Sequence, residues 1–237
     1  MYAFNPQAKL HWLELGQSRT RALLIDDALL DLTQIRRDAA AAQFSHDAGS
    51  YYPGVRAELP QAYARTVLEA VYPLLLQLVQ PPPDHRLVPQ QWYLSLLTTP
   101  AEQLQPLQRL PHFDKAEPLH LAILHYLAEG PHGGTGFFRH EATGFEKIVP
   151  TQQQQYFSTL QQQLMAQGGA ASGFPSAETP FFSLYQQLAY KPNRLLIYPG
   201  HLLHSALVKP ATDLSADPLN GRLTANLFVQ FQPKASQ

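Results

Sequence analysis

Three consecutive prolines, Pro81-Pro82-Pro83, divide the chain into two parts of different character. Three residues without amide hydrogens end any helix that runs into them. Beyond them lie Gln91 to Thr98, Leu119 to Leu127, Gly136 to Arg139, Arg194 to Tyr198, Leu202 to Val208 and Arg222 to Phe231. These segments are short, rich in aromatic and branched residues, and bounded by Gly, Pro or polar turns, which predicts strands. Ahead of the prolines, Arg21 to Ile25 reads as a strand. Asp26 or Asp27 then caps a helix whose apolar positions are Leu29, Leu32 and Ile35. A second helix starts near Pro60 and carries Tyr63, Val67, Val71, Leu74 and Leu78 on one stripe. Two helices followed by many short strands predict an α+β, mainly β fold, a β-sandwich or jelly roll with flanking helices packed outside.

Composition sets outer limits. The 237 residues suit one domain over 1–237, with an N-terminal strand and helices to about 85 and a β core over about 88–232. A helical insertion is expected over 151–190. The glutamine-rich run from Thr151 repeats Tyr156, Leu160 and Leu164 every four residues, with Thr151 as cap and Gly168 as stop, and Pro180 to Leu188 reads as a further short helix. A net charge of −1 argues against a protein that grips nucleic-acid backbone. No cysteine is present, so disulfides, thiolate metal sites and a thiol nucleophile are excluded. The start, MYAFNPQAKLHWLEL, lacks a basic head and an apolar run, so no signal peptide is expected, and no stretch is apolar for long enough to span a bilayer. The expectation is a cytoplasmic protein without a membrane or nucleic-acid partner. The oligomeric state is not readable.

Ten histidines invite a search for metal spacing. In Pro111-His112-Phe113-Asp114, residues two apart share a face on a strand, so His112 and Asp114 suit one ion. Alone, the pair reads as a surface loop ahead of a metal site. Further on, Tyr198-Pro199-Gly200-His201-Leu202-Leu203-His204 reads as strand, tight turn and strand, and Gly221-Arg222-Leu223-Thr224-Ala225-Asn226 places Arg222, Thr224 and Asn226 on one face. A sheet with one wet face explains that alternation. Within a jelly roll it turns an arginine inward, where a guanidinium demands an anionic partner.

Taken together, H-x-D, a distant His and an Arg on the following strand resemble the iron(II)/2-oxoglutarate-dependent oxygenases, enzymes with a double-stranded β-helix (jelly-roll) core. Tyr126-Leu127 followed by Gly133-Gly134-Thr135-Gly136-Phe137-Phe138 resembles the strand, loop and strand after H-x-D in prolyl-hydroxylase-like members. Leu23-Leu24-Ile25-Asp26-Asp27 and Tyr52-Pro53-Gly54-Val55-Arg56 resemble the N-terminal part of bacterial members of unassigned substrate. The resemblance implies that His112, Asp114 and His204 bind Fe(II) as a facial triad with open positions. It implies that Arg222 binds the distal carboxylate of 2-oxoglutarate, with Tyr126 and Thr224 assisting. The implied reaction is an oxidation by dioxygen, with hydroxylation of an unidentified substrate and release of succinate and carbon dioxide. Asp114 speaks for hydroxylation, since the halogenating branch lacks that carboxylate. Two features depart from the pattern. The stretch from His204 to Arg222 is longer than usual, which makes Pro210 to Asn220 an inserted loop, and Ala128 replaces a common Asn. The other readings are a jelly-roll module that binds a metal or ligand without turnover, and a cupin-like metalloenzyme of another reaction type.

Other residues carry plainer readings. His201 falls in the turn and competes with His204. His140 reads as an exposed loop residue or a substrate contact. His120 and His125 lie on opposite faces of one strand, with His125 a packing residue. Gly133 to Gly136 lacks the lysine of a phosphate loop. Tyr51, Tyr52, Phe137 and Phe138 read first as core; the second reading makes Tyr51 to Arg56 a lid, with Trp92, Tyr51, Tyr52 and Arg56 as wall residues beside the site.

Overall fold

The computed structural model describes residues 1–234. The chain forms β1 (Lys9–Leu15), β2 (Thr20–Asp26), α1 (Thr33–Ala41), β3 (Gly54–Glu58), α2 (Gln61–Val79) and β4 (His85–Leu97). Then follow β5 (His120–Tyr126), β6 (Thr135–His140), α3 (Gln153–Gln167), β7 (Phe182–Leu188), β8 (Leu195–Pro199), β9 (His204–Ala206), α4 (Pro210–Asp213) and β10 (Leu223–Pro233). The protein is mainly β and jelly-roll-like. A seven-stranded sheet has the order β1-β2-β8-β5-β10-β4-β3, and a three-stranded sheet has the order β7-β6-β9. All pairings are antiparallel.

Strand alternation divides the apolar residues among three layers. On β5, Leu121 and Ile123 face α1 and α2, together with Leu223, Ala225, Leu227 and Val229 of β10. The opposite face of β5 presents Ala122, Leu124 and Tyr126 to Phe137 of the small sheet. Phe138, the neighbour of Phe137, points outward onto Tyr156 and Leu160 of α3. The order is therefore helices, large sheet, inner layer, small sheet, helix. Glu146 ties the β1–β2 turn to the small sheet: its carboxylate accepts from the Gln17 and Ser18 amides at 3.0 and 2.8 Å and from the Arg139 guanidinium.

Several elements differ from expectation for identifiable reasons. The segment Pro180 to Leu188 is not helical; most of it is β7, an edge strand recruited by β6 across a bulge at Phe137 and Phe138. The helical insertion thus ends near Gly168, whose backbone (φ +82°) takes the left-handed conformation that stops α3. Thr151 does not cap α3, because it lies inside a 3-10 turn over Pro150–Gln152. The first helix starts at Thr33 rather than after Asp26 or Asp27. Asp26 instead ends β2 and holds Arg194 through a two-point ion pair, and Asp27 adopts φ +58°. The edge strands β1 and β3 carry no apolar alternation that would reveal them, since KLHWLEL is exposed along most of its length and GVRAE is short and mixed. Pro89 is accommodated within β4 at a register shift opposite Val229. No helix among the described residues is long and apolar enough to cross a membrane.

Behind the large sheet, His125 behaves as the packing residue its face predicts. The Tyr63 hydroxyl donates to His125 Nδ1, and His125 Nε2–H donates to Asn193 Oδ1 at 3.1 Å. Asn193 also bonds the backbone of Leu29 through both side-chain atoms, from a left-handed backbone at φ +62°. Asn193→Ala should therefore leave buried groups unpaired and strain the turn, lowering the unfolding free energy by about 2–4 kcal/mol. Urea titration reads this, and an unchanged midpoint would contradict it. Burial pushes the His125 imidazole down to about 4, outweighing the upward pull of Asn193. An unfolded histidine titrates near ~6.5, so between these values the unfolded chain holds a proton that the folded chain does not. Stability should then fall as pH drops from about 6.5 to about 4. His125→Gln is expected to flatten that dependence in pH-resolved urea melts; an equally steep curve would show that the ring is not responsible.

Candidate metal centre

The segment Leu110–Asp114 belongs to no regular strand, yet its backbone is held at both ends. His112 N–H donates to His204 O at 2.9 Å and His204 N–H returns to His112 O at 2.8 Å. Asp114 N–H donates to Gly200 O at 2.7 Å. This short antiparallel bridge attaches the segment to β9, and its alternation turns His112 and Asp114 to one side. Phe113, between them, points the other way onto Tyr156 and Phe157 of α3, with ring centroids 6.1 and 6.0 Å apart. The glutamine-rich helix thus forms the support behind the H-x-D segment.

His112, Asp114 and His204 each offer a ligand atom, all within 4.8 Å of one another. Asp114 Oδ1 lies 3.9 Å from His112 Nε2 and 3.8 Å from His204 Nε2. His204 is buried against Tyr198 and Phe137. Its Nδ1–H donates to Leu202 O at 2.8 Å, which leaves the Nε2 lone pair aimed at the cluster. His112 stands at the mouth, with its side chain 55% exposed. Asp114 Oδ2 is buried and has no hydrogen-bond partner. Burial pushes the Asp114 carboxyl up to about 6, against the downward pull of His112 and Arg56. Burial pushes the His204 imidazole down to about 4. His112 is lowered too, first by the partial burial of its ring and then by the neighbouring His204 and Arg56, against the pull of Asp114. Two imidazoles kept neutral and a carboxylate short of partners fit a divalent cation, which supplies the missing charge and takes the free lone pairs.

Arg222 lies immediately before β10 and is 3% exposed. Its Nε–H donates to Gly133 O at 2.7 Å and Nη2–H to Gly134 O at 3.2 Å, and its guanidinium carbon lies 5.5 Å from the centre of the Tyr126 ring. No carboxylate lies within ion-pair distance of it among the described residues. The Tyr126 hydroxyl shares a hydrogen bond with Thr135 at 2.7 Å, and the Thr224 hydroxyl accepts from Asn226 at 3.0 Å. Tyr126 and Thr224 are direct register partners on β5 and β10, so both flank Arg222 on the inner face. The glycine pair explains itself here: a Cβ on Gly133 would run into Leu207 O and one on Gly134 into Leu188 O. These glycines let the backbone approach closely enough to present carbonyls to Arg222.

The stretch expected as a loop between β9 and β10 begins with α4 and is anchored to the same place. The buried Asp213 carboxylate accepts from His132 Nδ1 at 3.1 Å, from Gly133 N–H at 3.1 Å and from Lys209 N–H at 2.8 Å. Sequence reasoning missed this anchor, because His132 and Asp213 share no short motif. Tyr198 was also missed, although its alternation with Ile197 on β8 put it on the inner face. Of the competing histidines, His201 is buried outside the cluster with Nδ1 unpartnered. His140 is not an exposed loop residue: it is fully buried, bonded to Thr143 at 2.8 Å and to Gln163 of α3 at 2.7 Å. The segment whose second reading is a lid is partly strand, since β3 starts at Gly54.

Comparison with known proteins places this geometry in context. No curated protein matches the chain. The structure of HygX from Streptomyces hygroscopicus with nickel and 2-oxoglutarate bound aligns with 88% of this chain and 82% of its own, at 13% identity and a TM-score of 0.51, and so shares the fold. An N-substituted L-amino acid dioxygenase from Burkholderia ambifaria AMMD aligns over 98% of this chain and 96% of its own, at 10% identity and a TM-score of 0.38. Residues 6–229 match a family of unknown function, DUF6445, and the chain belongs to that family.

Proposed function

We propose that the protein is a non-haem iron(II)- and 2-oxoglutarate-dependent oxygenase on a double-stranded β-helix, and that it hydroxylates a substrate in the cytoplasm. The carrying observation is the convergence of His112, Asp114 and His204 on one point, with the buried and anion-free Arg222 on the same inner layer. The path of the chain supports the β-helix. From β4 onward it passes from the large sheet to the His112 bridge beside β9, back to β5, out to β6 and β7, back to β8, out to β9 and back to β10. HygX shares the fold and carries nickel and 2-oxoglutarate.

In this reading His112 Nε2, Asp114 and His204 Nε2 would hold the iron. The bound iron supplies, with dioxygen and 2-oxoglutarate, an oxidation of substrate that releases succinate and carbon dioxide. The protein's share is orientation and exclusion of water. Leu202 O fixes the tautomer of His204. Arg222, held in plane by Gly133 and Gly134, turns its charge toward a carboxylate entering the inner layer, flanked by Tyr126 and Thr224. Tyr198 and Phe137 close the space around His204.

His112→Ala and Asp114→Ala should each abolish binding of one Fe(II) or Ni(II) per chain, measured by calorimetry, whereas His201→Ala should keep it. Full occupancy in the first two variants would mean that the ligands lie elsewhere. Succinate should form from 2-oxoglutarate only with Fe(II) and dioxygen. Arg222→Ala should keep the metal but raise the 2-oxoglutarate requirement by roughly tenfold or more, because a charge-assisted bond is lost. An unchanged requirement would remove Arg222 from its role.

A further inference from the structure

The inner face of the large sheet carries a polar row that extends past the 2-oxoglutarate end. Register places Arg56 of β3 opposite Ser95 of β4, Ser95 opposite Thr224 of β10, and Thr224 opposite Tyr126 of β5. Val55 and Ala57 pack toward the helices, so Arg56 takes the opposite, inner side. Its guanidinium carbon lies over two rings, 5.0 Å from the Tyr52 centroid and 4.6 Å from that of Tyr93. Nη1–H donates to Asp47 at 2.8 Å. Nε is buried without an acceptor, and so is the hydroxyl of Tyr52. The row ends at Thr224 and Tyr126, which flank Arg222, so Arg56 shares the inner face with the candidate site.

A purely structural arginine uses its planar fork on a carboxylate of the protein and leaves no buried donor unpaired. Here the ion pair with Asp47 takes one nitrogen. Nε is left as an unpaired donor on the inner face, and the hydroxyl of Tyr52, whose ring lies against the same guanidinium, is unpaired too. We propose that Arg56, with Tyr52, binds a carboxylate carried by the substrate, so that the substrate class is a carboxylic acid oriented by that group. Asp47 offsets most of the arginine's charge, which favours a planar monoanion over a phosphate dianion. This inference rests on the oxygenase reading for the identity of the bound molecule as substrate.

The test uses a panel of aliphatic, aromatic and aminoacyl monocarboxylic acids, each paired with its carboxamide and, where one exists, a phosphate monoester of similar shape. Binding is read by saturation-transfer NMR on the protein loaded with Ni(II) and 2-oxoglutarate, and on the metal-free protein. At least one acid should bind at least tenfold more tightly than its amide. Arg56→Gln should remove that preference while the variant stays folded and still binds Ni(II) and 2-oxoglutarate, and Arg56→Lys should restore it in part. The proposal is overturned if acids and amides bind alike, if no acid binds, if phosphate monoesters bind in preference, or if Arg56→Gln keeps the preference. Failure of 2-oxoglutarate to bind the wild-type protein would instead overturn the oxygenase reading, while the acid–amide comparison on the metal-free protein would still stand.

Discussion

A pair of backbone hydrogen bonds between His112 and His204 holds the candidate site together. The two residues lie far apart along the chain, and His112 belongs to no strand of its own. Without that bridge, the H-x-D segment would be an exposed loop beside a 3-10 turn. With it, two imidazoles and a carboxylate meet at a spacing suited to one ion. The bridge is itself supported from outside by Phe113 on α3, and from below by the Asp114 amide on Gly200 O. The helix that looks like low-complexity sequence is therefore part of the frame of the site.

The strands sort their residues by function through alternation alone. On β10, odd-numbered Leu223 to Val229 build the layer against the helices, while Thr224 and Asn226 turn into the space between the sheets. The same rule sends Arg56, Ser95 and Tyr126 inward from their own strands. The polar inner face costs folding energy because its groups are dehydrated. Part of that cost is offset within the protein, as where Thr135 satisfies Tyr126 and the glycine carbonyls take two donors of Arg222. Other buried atoms stay unpaired, among them Asp114 Oδ2, Arg56 Nε, the Tyr52 hydroxyl and His120 Nδ1. Asp114 Oδ2 belongs to the candidate metal centre, where a bound ion would supply the missing partner.

Much of this was legible in the sequence, for physical reasons that differ by element. The strands β5, β8 and β10 are flanked by packed layers and carry runs or alternations strong enough to read. The stripe of α2 and its proline stop are equally plain. The H-x-D pair and His204 were readable as local patterns, but their meeting depends on a non-local bridge that no spacing encodes; the resemblance to a known family stood in for it. What stayed hidden shares one property, that the decisive partner is distant. β7 has the local look of a short helix and becomes a strand because β6 offers it an edge. Asp213 and His132 meet only after the chain has folded back. Arg56 was visible only as a possible wall residue, since its place in the polar row depends on the pairing of β3 with β4.

Diffraction at the nickel absorption edge, from crystals grown with Ni(II) and 2-oxoglutarate, tests the central claim most directly. The account predicts one strong anomalous peak bonded to His112 Nε2, Asp114 and His204 Nε2, with the far carboxylate of 2-oxoglutarate on Arg222. A peak elsewhere, such as beside His120 and His201, or 2-oxoglutarate lying away from Arg222, would contradict it.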